Sequence, residues 1–197
     1  MTVKNLIIAR RAGTPGLTPT TWNPSDKNTH VSLSGGNLVA TSDNLQTDQY
    51  AAVRSVAGKS SGKWYWEYTI LAIGASTDLL VGATISTDVL VSNTTPASFA
   101  ASSLYASANG LAYSGGVNFG GTVYIAGDVI QVKLDMDAKT LVVGKNGTYY
   151  ATMKSSLTGT QHAICAVYNN NFPSVRANFG GSAFVYAVPS GYTGGLG

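Results

Sequence analysis

Asp135 and Asp137 stand two residues apart, and on a strand that spacing would put two carboxylates on one face. Two carboxylates held roughly 5–9.5 Å apart are what glycoside hydrolysis requires. The surrounding stretch, Asp135-Met136-Asp137-Ala138-Lys139, instead reads as a chain reversal, where Asp side chains accept hydrogen bonds from nearby backbone N–H groups. The pair is therefore expected to do turn chemistry rather than catalysis or metal binding. Glu67 is the only glutamate, and no second acid stands two residues from it. A lone carboxylate on an apolar strand must pair or accept backbone hydrogen bonds if it is buried, and Arg54 is the expected partner. His30 and His162 have no Ser, Cys or second His at motif spacing. The single cysteine, Cys165, excludes an intrachain disulfide and lies in the apolar run Ala163-Ile164-Cys165-Ala166-Val167, so it reads as a small buried hydrophobe. No phosphate loop, zinc ligand set or nucleophile elbow is present. These residues predict no catalytic group, no metal and no cofactor.

The elements that must position these side chains are strands. Val129 to Met136 alternates, with Ile130, Val132, Leu134 and Met136 on one face. Thr140 to Val143 begins the return, and Asn146-Gly147 is a strong hairpin signal because both residues tolerate positive φ. Trp64 to Leu71 puts Trp64, Trp66, Tyr68 and Ile70 on one face, the last three expected in the core. Leu79 to Ile85 is almost wholly apolar, as a strand covered on both faces would be. Charged residues are 11% of the chain, under half the roughly 25% of an average soluble protein. With 23 glycines, one glutamate and abundant Val, Thr and Tyr, the composition argues for an all-β protein with many turns. Turn signals at regular spacing, about a dozen strands and no convincing helix predict a two-sheet antiparallel β-sandwich.

The chain ends differ from the middle. Val3 to Ala9 has strand character, and Arg10-Arg11 and a Pro/Gly-rich stretch follow. Residues 1–21 read either as a first strand with a crossing loop or as an arm. In the second reading Leu6, Ile7, Ile8, Arg10 and Arg11 dock on a neighbour, as extended segments do when they add to a sheet edge. Trp22 to Asn28 reads as turn-rich with an anchoring Trp, 22–192 as the sandwich, and 193–197 as a flexible tail. Lys and Arg are scattered, which gives no support for nucleic-acid binding. No apolar run approaches the ~20 residues of a membrane helix, and no signal peptide is visible.

Several ordered motifs resemble the SPRY domain family. They begin with WNPSDK at 22–27 and LSGGN at 33–37, followed by GKWYWE at 62–67 and VGA at 81–83. The hairpin GDVIQVKLDMDAKTLVVGKNG at 127–147 and ANFG at 177–180 complete the series. Val142-Val143-Gly144 departs from the aromatic pair usual before KNG. The wording PSDK and the closing VPSGY at 188–192 look most like SPRY modules of bacteriophage structural proteins. The resemblance implies a concanavalin-like jelly roll that is an adaptor rather than a catalyst and binds through loops at one end. Carried onto this chain, those loops hold Thr47, Asp48 and Gln49; Ser76, Thr77 and Asp78; Asn93 and Thr94; and Tyr168, Asn169, Asn170 and Asn171. Tyr offers rigid amphipathic area, and Asn both donates and accepts hydrogen bonds. The expectation is a non-enzymatic, virion-associated interaction protein made in the host cytoplasm, used for capsid decoration or as a fibre or baseplate accessory. Its partners would be other virion proteins or itself. The alternative is a lectin-like module contacting a host-surface glycan, and a solvated loop end without function remains open beside both.

Overall fold

The computed structural model describes residues 18–43, 49–73, 79–88, 90–93, 102–107, 109–113, 119–168 and 172–197. Among them are fifteen strands and no helix. They are β1 (Trp22–Lys27), β2 (Val31–Ser34), β3 (Val39–Ser42), β4 (Gln49–Lys59), β5 (Lys63–Ala72), β6 (Leu79–Ile85), β7 (Val91–Asn93) and β8 (Ser103–Ala106). The rest are β9 (Ala112–Tyr113), β10 (Val129–Asp135), β11 (Thr140–Lys145), β12 (Thr148–Lys154), β13 (Gln161–Tyr168), β14 (Ser174–Asn178) and β15 (Thr193–Gly194). One sheet runs β1-β4-β13-β6-β8-β9 with β7 on β4; the other runs β12-β11-β10-β5-β14-β3-β2 with β15 on β5. Every pairing is antiparallel except the short β15–β5 contact. This is the two-sheet sandwich that the alternation and turn spacing predict.

The core lies between the sheets. Trp66, Tyr68 and Ile70 from β5 meet Val53, Val81, Ala163 and Cys165 from the first sheet. The Tyr68 hydroxyl crosses the core and donates to the Gly82 carbonyl at 3.1 Å, with the Ile164 carbonyl 3.2 Å away. Trp22 stacks on Tyr68, with ring centroids 6.0 Å apart, and meets Phe179 edge-on at 5.0 Å. A smaller apolar cluster of Tyr50, Ala52, Leu80, Leu104, Ala106, Ile164 and Ala166 lies on the other face of the first sheet. It explains why β6 is apolar on both faces.

Three expectations need correction. Trp22 to Lys27 is a strand and not a turn-rich segment. It is the outermost strand of its sheet and its register shifts along the pairing with β4, so Pro24 breaks no interior ladder. Arg54 does not meet Glu67. Its guanidinium forms a two-pronged pair with Asp26, at 2.8 and 2.7 Å, and donates to the Asp88 carbonyl at 2.7 Å. Residues 193–197 are not a flexible tail. Thr193–Gly194 pairs with Trp64 and Tyr65, the Gly195 N–H donates to the Tyr65 carbonyl at 2.7 Å, and Leu196 is buried in the core. Val3 to Ala9 lies outside the described residues.

Candidate functional site

Three connections cross between the sheets at one end of the sandwich: β3 to β4, β5 to β6, and β13 to β14. The registers bring their strand ends together. Tyr50 pairs with Tyr168, Leu79 with Val167, and Gln49 with Asn93. The four loops named from the sequence therefore all issue from neighbouring strand ends. Thr47, Asp48, Ser76, Thr77, Asp78, Thr94, Asn169, Asn170 and Asn171 lie outside the described residues, as do the arm residues Leu6, Ile7, Ile8, Arg10 and Arg11. Gln49 and Asn93 are placed by their backbone pairing alone. Tyr168 is half-buried, its ring 4.9 Å from that of Tyr50.

Sequence reasoning missed the apolar character of this end. Seven large apolar side chains are exposed among the described residues, and five of them, Leu71, Leu111, Val123, Ile125 and Phe172, lie here. Leu71 is the penultimate residue of β5. The turn carrying Ile125 is bonded to Ile70 through the Gly127 N–H, at 2.9 Å. The Leu111 carbonyl accepts from the Ala106 N–H at 3.0 Å, and Tyr124, beside Val123, donates its hydroxyl to the Leu79 carbonyl at 2.5 Å. Phe172 is 54% exposed and holds φ +53°, a left-handed conformation rare for an aromatic residue, immediately before Pro173. The three crossing stretches 41–50, 73–79 and 168–175, and 93–101 beside them, contain no Lys or Arg. At the base of the first, His30 Nδ1 lies 3.0 Å from the Asp43 carboxylate.

The opposite end carries Lys59, Lys63, Lys139 and Lys154. Lys59 sits over the Trp64 ring at 3.8 Å and donates to the Gly197 carbonyl at 2.8 Å; burial pulls its pKa down. Lys63 pairs with Asp135 at 2.9 Å. The Asp135 carboxylate also accepts from the N–H groups of Asp137 and Ala138, at 3.0 and 2.8 Å, and Asp137 accepts from the Gly62 N–H at 2.8 Å. Asp135 closes its own turn, as the stretch 135–139 suggested, whereas Asp137 reaches the turn between β4 and β5. The described chain also begins at this end. The Thr20 hydroxyl accepts from the Ala57 N–H at 3.0 Å, and a Cβ placed on Gly197 would fall 1.8 Å from the Thr18 carbonyl oxygen.

The remaining reactive groups are engaged or buried. Glu67 accepts from the Tyr65 hydroxyl at 2.6 Å and from the Val185 and Tyr186 N–H groups at 2.8 Å each. Burial pushes the Cys165 thiol far above its ordinary pKa, which removes thiolate reactivity. His162 Nδ1 lies 3.0 Å from the Ser55 carbonyl. Among the described residues no three metal-capable side chains cluster. What this surface can do chemically is bury apolar area against a partner.

No family model matches the chain, and no curated protein matches it. Solved structures do. The SPRY domain of human HERC1 is 21% identical with a TM-score of 0.61, over 79% of this chain and 96% of that one. A second human SPRY domain is 16% identical with a TM-score of 0.64, over 79% and 98%. In this chain the motifs quoted from the sequence tie strands together: PSDK supplies Asp26 to Arg54, GK supplies Lys63 to Asp135, and NFG supplies the turn after β14. The sandwich has the fold of a SPRY domain.

Proposed function

We propose that this chain is a non-enzymatic protein-interaction module of a bacteriophage particle. Residues 1–17 tether it at one end, and the crossover end faces the partner. The observation that carries this reading is polarity of placement: Thr18 leaves the sandwich beside Gly197 and Lys59, opposite the strand ends of Tyr50, Tyr168 and Leu79. A module so arranged can be held at one end while its other end stays accessible. The phage assignment is supported by the sequence wording at 24–27 and 188–192. Leu6, Ile7, Ile8, Arg10 and Arg11 are the proposed docking residues of the arm. Thr47 to Gln49, Ser76 to Asp78, Asn93, Thr94 and Tyr168 to Asn171 are the proposed polar rim of the partner face.

A protein fits that face better than a glycan. Leu71, Leu111, Val123 and Ile125 are aliphatic, and a sugar laid on them would lose water from hydroxyls without gaining hydrogen bonds. A protein surface with its own apolar centre and polar rim matches it. The test is the solution mass of the full chain and of a chain lacking residues 1–17, together with co-sedimentation of each with purified phage particles. The cut stops at 17 because Thr18, Pro19 and Thr20 pack on the body. Particle binding or a defined oligomer that disappears with the arm supports the reading. Retention of both without the arm overturns the tether, and glycan-array binding that depends on Tyr168 would replace the protein partner with a sugar.

A further inference from the structure

Tyr65, Glu67 and Gln131 point away from the core, yet they are 0%, 1% and 1% exposed. Residues 182–197 cover Tyr65 and Glu67, and Gln131 accepts from the Gly147 N–H at 3.1 Å. The 182–197 segment crosses the outer face of β5 and β10 as a strap, turns where the Tyr192 N–H donates to the Pro189 carbonyl at 3.1 Å, and comes back along β5, and its contacts are those of a bound peptide. Both oxygens of Glu67 accept consecutive main-chain N–H groups, from Val185 and Tyr186. Phe184 meets the Tyr65 ring edge-on at 5.0 Å. Tyr186 lies so close to Gly147 that a Cβ there would stand 2.9 Å from its ring. Thr193–Gly194 then pairs with β5, and Leu196 enters the core. A Cβ on Gly195 would meet the Phe179 carbonyl oxygen at 2.6 Å, so the seat accepts this glycine-bearing sequence and few others.

Apart from packing within the strap, these docking contacts are made to residues that precede Gly180. None of them requires the strap to belong to the same chain. What ties it in cis is the turn at 178–183. There the Asn178 side chain accepts from the Gly180 N–H at 3.1 Å and donates to the Ala183 and Ser182 carbonyls at 3.0 and 3.4 Å. Gly180 sits at φ +97°, which the reversal needs.

We propose that the outer face of β5 and β10 is a peptide-binding site, filled here by the chain's own strap, and that a second copy of the chain is its partner through exchange of residues 182–197. The exchanged dimer keeps every docking contact and loses only the turn, the arrangement in which swapping is a low-barrier route to association. It needs neither the arm nor the crossover end, so it stands apart from the reading above.

The experiment is sedimentation of the full chain as wild type and Asn178→Ala, and of Asn178→Ala lacking residues 182–197, with a fluorescent peptide of residues 182–197 as the probe in trans. Asn178 pairs with β5 through its backbone, so alanine keeps the ladder. Loss of up to three turn hydrogen bonds from the closed form alone should raise the dimerisation constant about tenfold or more. The same variant should capture the peptide, and the chain without residues 182–197, which has nothing to exchange, should stay monomeric and capture the peptide more tightly. If Asn178→Ala does not fold, deletion of Gly181 shortens the same turn and gives the same readout. An Asn178→Ala chain that stays monomeric and ignores the peptide overturns the proposal. So does a dimer that persists without residues 182–197, since another interface would then hold it.

Discussion

The hairpin of β10 to β12 and the crossover end around Tyr168 are built on opposite terms. In the hairpin nearly every polar motif residue is spent on the fold. The Asn146 side chain accepts from the Val129 N–H at 2.8 Å and donates to Asp128 at 2.7 Å, so the GD and KNG motifs are two halves of one knot. Gly147 donates its N–H to Gln131 at 3.1 Å, and Asp135 closes the other turn. At the crossover end the strand termini are fixed, while large apolar side chains stay exposed among them. On the proposed reading, binding is carried by groups the fold does not consume. Substitutions in the hairpin should therefore change stability and spare partner binding, and those at the crossover end should do the reverse.

The largest effect is expected at Gly147, which holds φ +89° with the Tyr186 ring above it. Gly147→Val forces a β-branched residue into the left-handed region and a methyl into that ring, and should cost about 2–4 kcal/mol. Thermal denaturation measures the loss, and amide exchange at Val185 and Tyr186 should quicken as the strap lifts. Next is Asn146→Ala. It leaves the buried Val129 N–H without its acceptor and puts alanine at φ +50°, a loss of about 2 kcal/mol by denaturant titration. If either variant binds particles more weakly at a temperature where it is fully folded, the contrast between the two regions fails.

The hairpin was legible because its signals are local. Period two, Asn146-Gly147 and the Asp135 turn act within a few residues, and the structure uses them as read. The last five residues of the strap, 193–197, were misread for the converse reason. Gly, Pro and Ser across 189–197 signal a loop, while its order comes from Glu67, Tyr65 and Phe179, which are remote in sequence. Pro24 misled in the same way, since only sheet order reveals that its strand lies outermost. Arg54 had several acids to choose from, and the fold brings Asp26 alongside. For the candidate site, the sequence supplied the loop composition. Topology was needed to see that the loops share one end, and burial to see Leu71, Leu111, Val123 and Ile125 exposed there.

The pH dependence should follow the hairpin. Burial pushes the Asp135 carboxyl up, but the Ala138 N–H, Lys63 and the Asp137 N–H together hold it below the ordinary carboxylate value. A depressed carboxyl adds stability above its unfolded pKa of about 3.9 that is lost as pH falls through the lower folded value. Burial pushes Tyr149 up to about 12, so its contribution is full below an unfolded pKa of about 10 and is lost as pH rises through about 12. Stability should thus be level between roughly pH 5 and 9 and fall on both sides. Asp135→Asn should lower the plateau by about 1 kcal/mol and flatten the acid limb, read from unfolding midpoints across pH. An unchanged acid limb would remove Asp135 from the account.

Phe172 gives the smallest change in stability and the sharpest test of the contrast. A non-glycine residue at φ +53° carries a strain of about 1–2 kcal/mol, raised further by the proline that follows. Its ring is 54% exposed, so burial returns only part of that. Glycine has no Cβ to strain, although it adds backbone freedom to the unfolded chain. Phe172→Gly should therefore leave stability level or raise it by up to about 1 kcal/mol, while weakening particle binding. Phe172→Ala should keep most of the strain and also weaken binding, which separates loss of the ring from relief of the backbone. A residue kept for packing would show the opposite order, with glycine the least stable of the three. Strain held in an exposed aromatic is a feature of binding sites rather than of cores. If glycine at 172 raises stability and leaves particle binding intact, the crossover end is not where the partner sits.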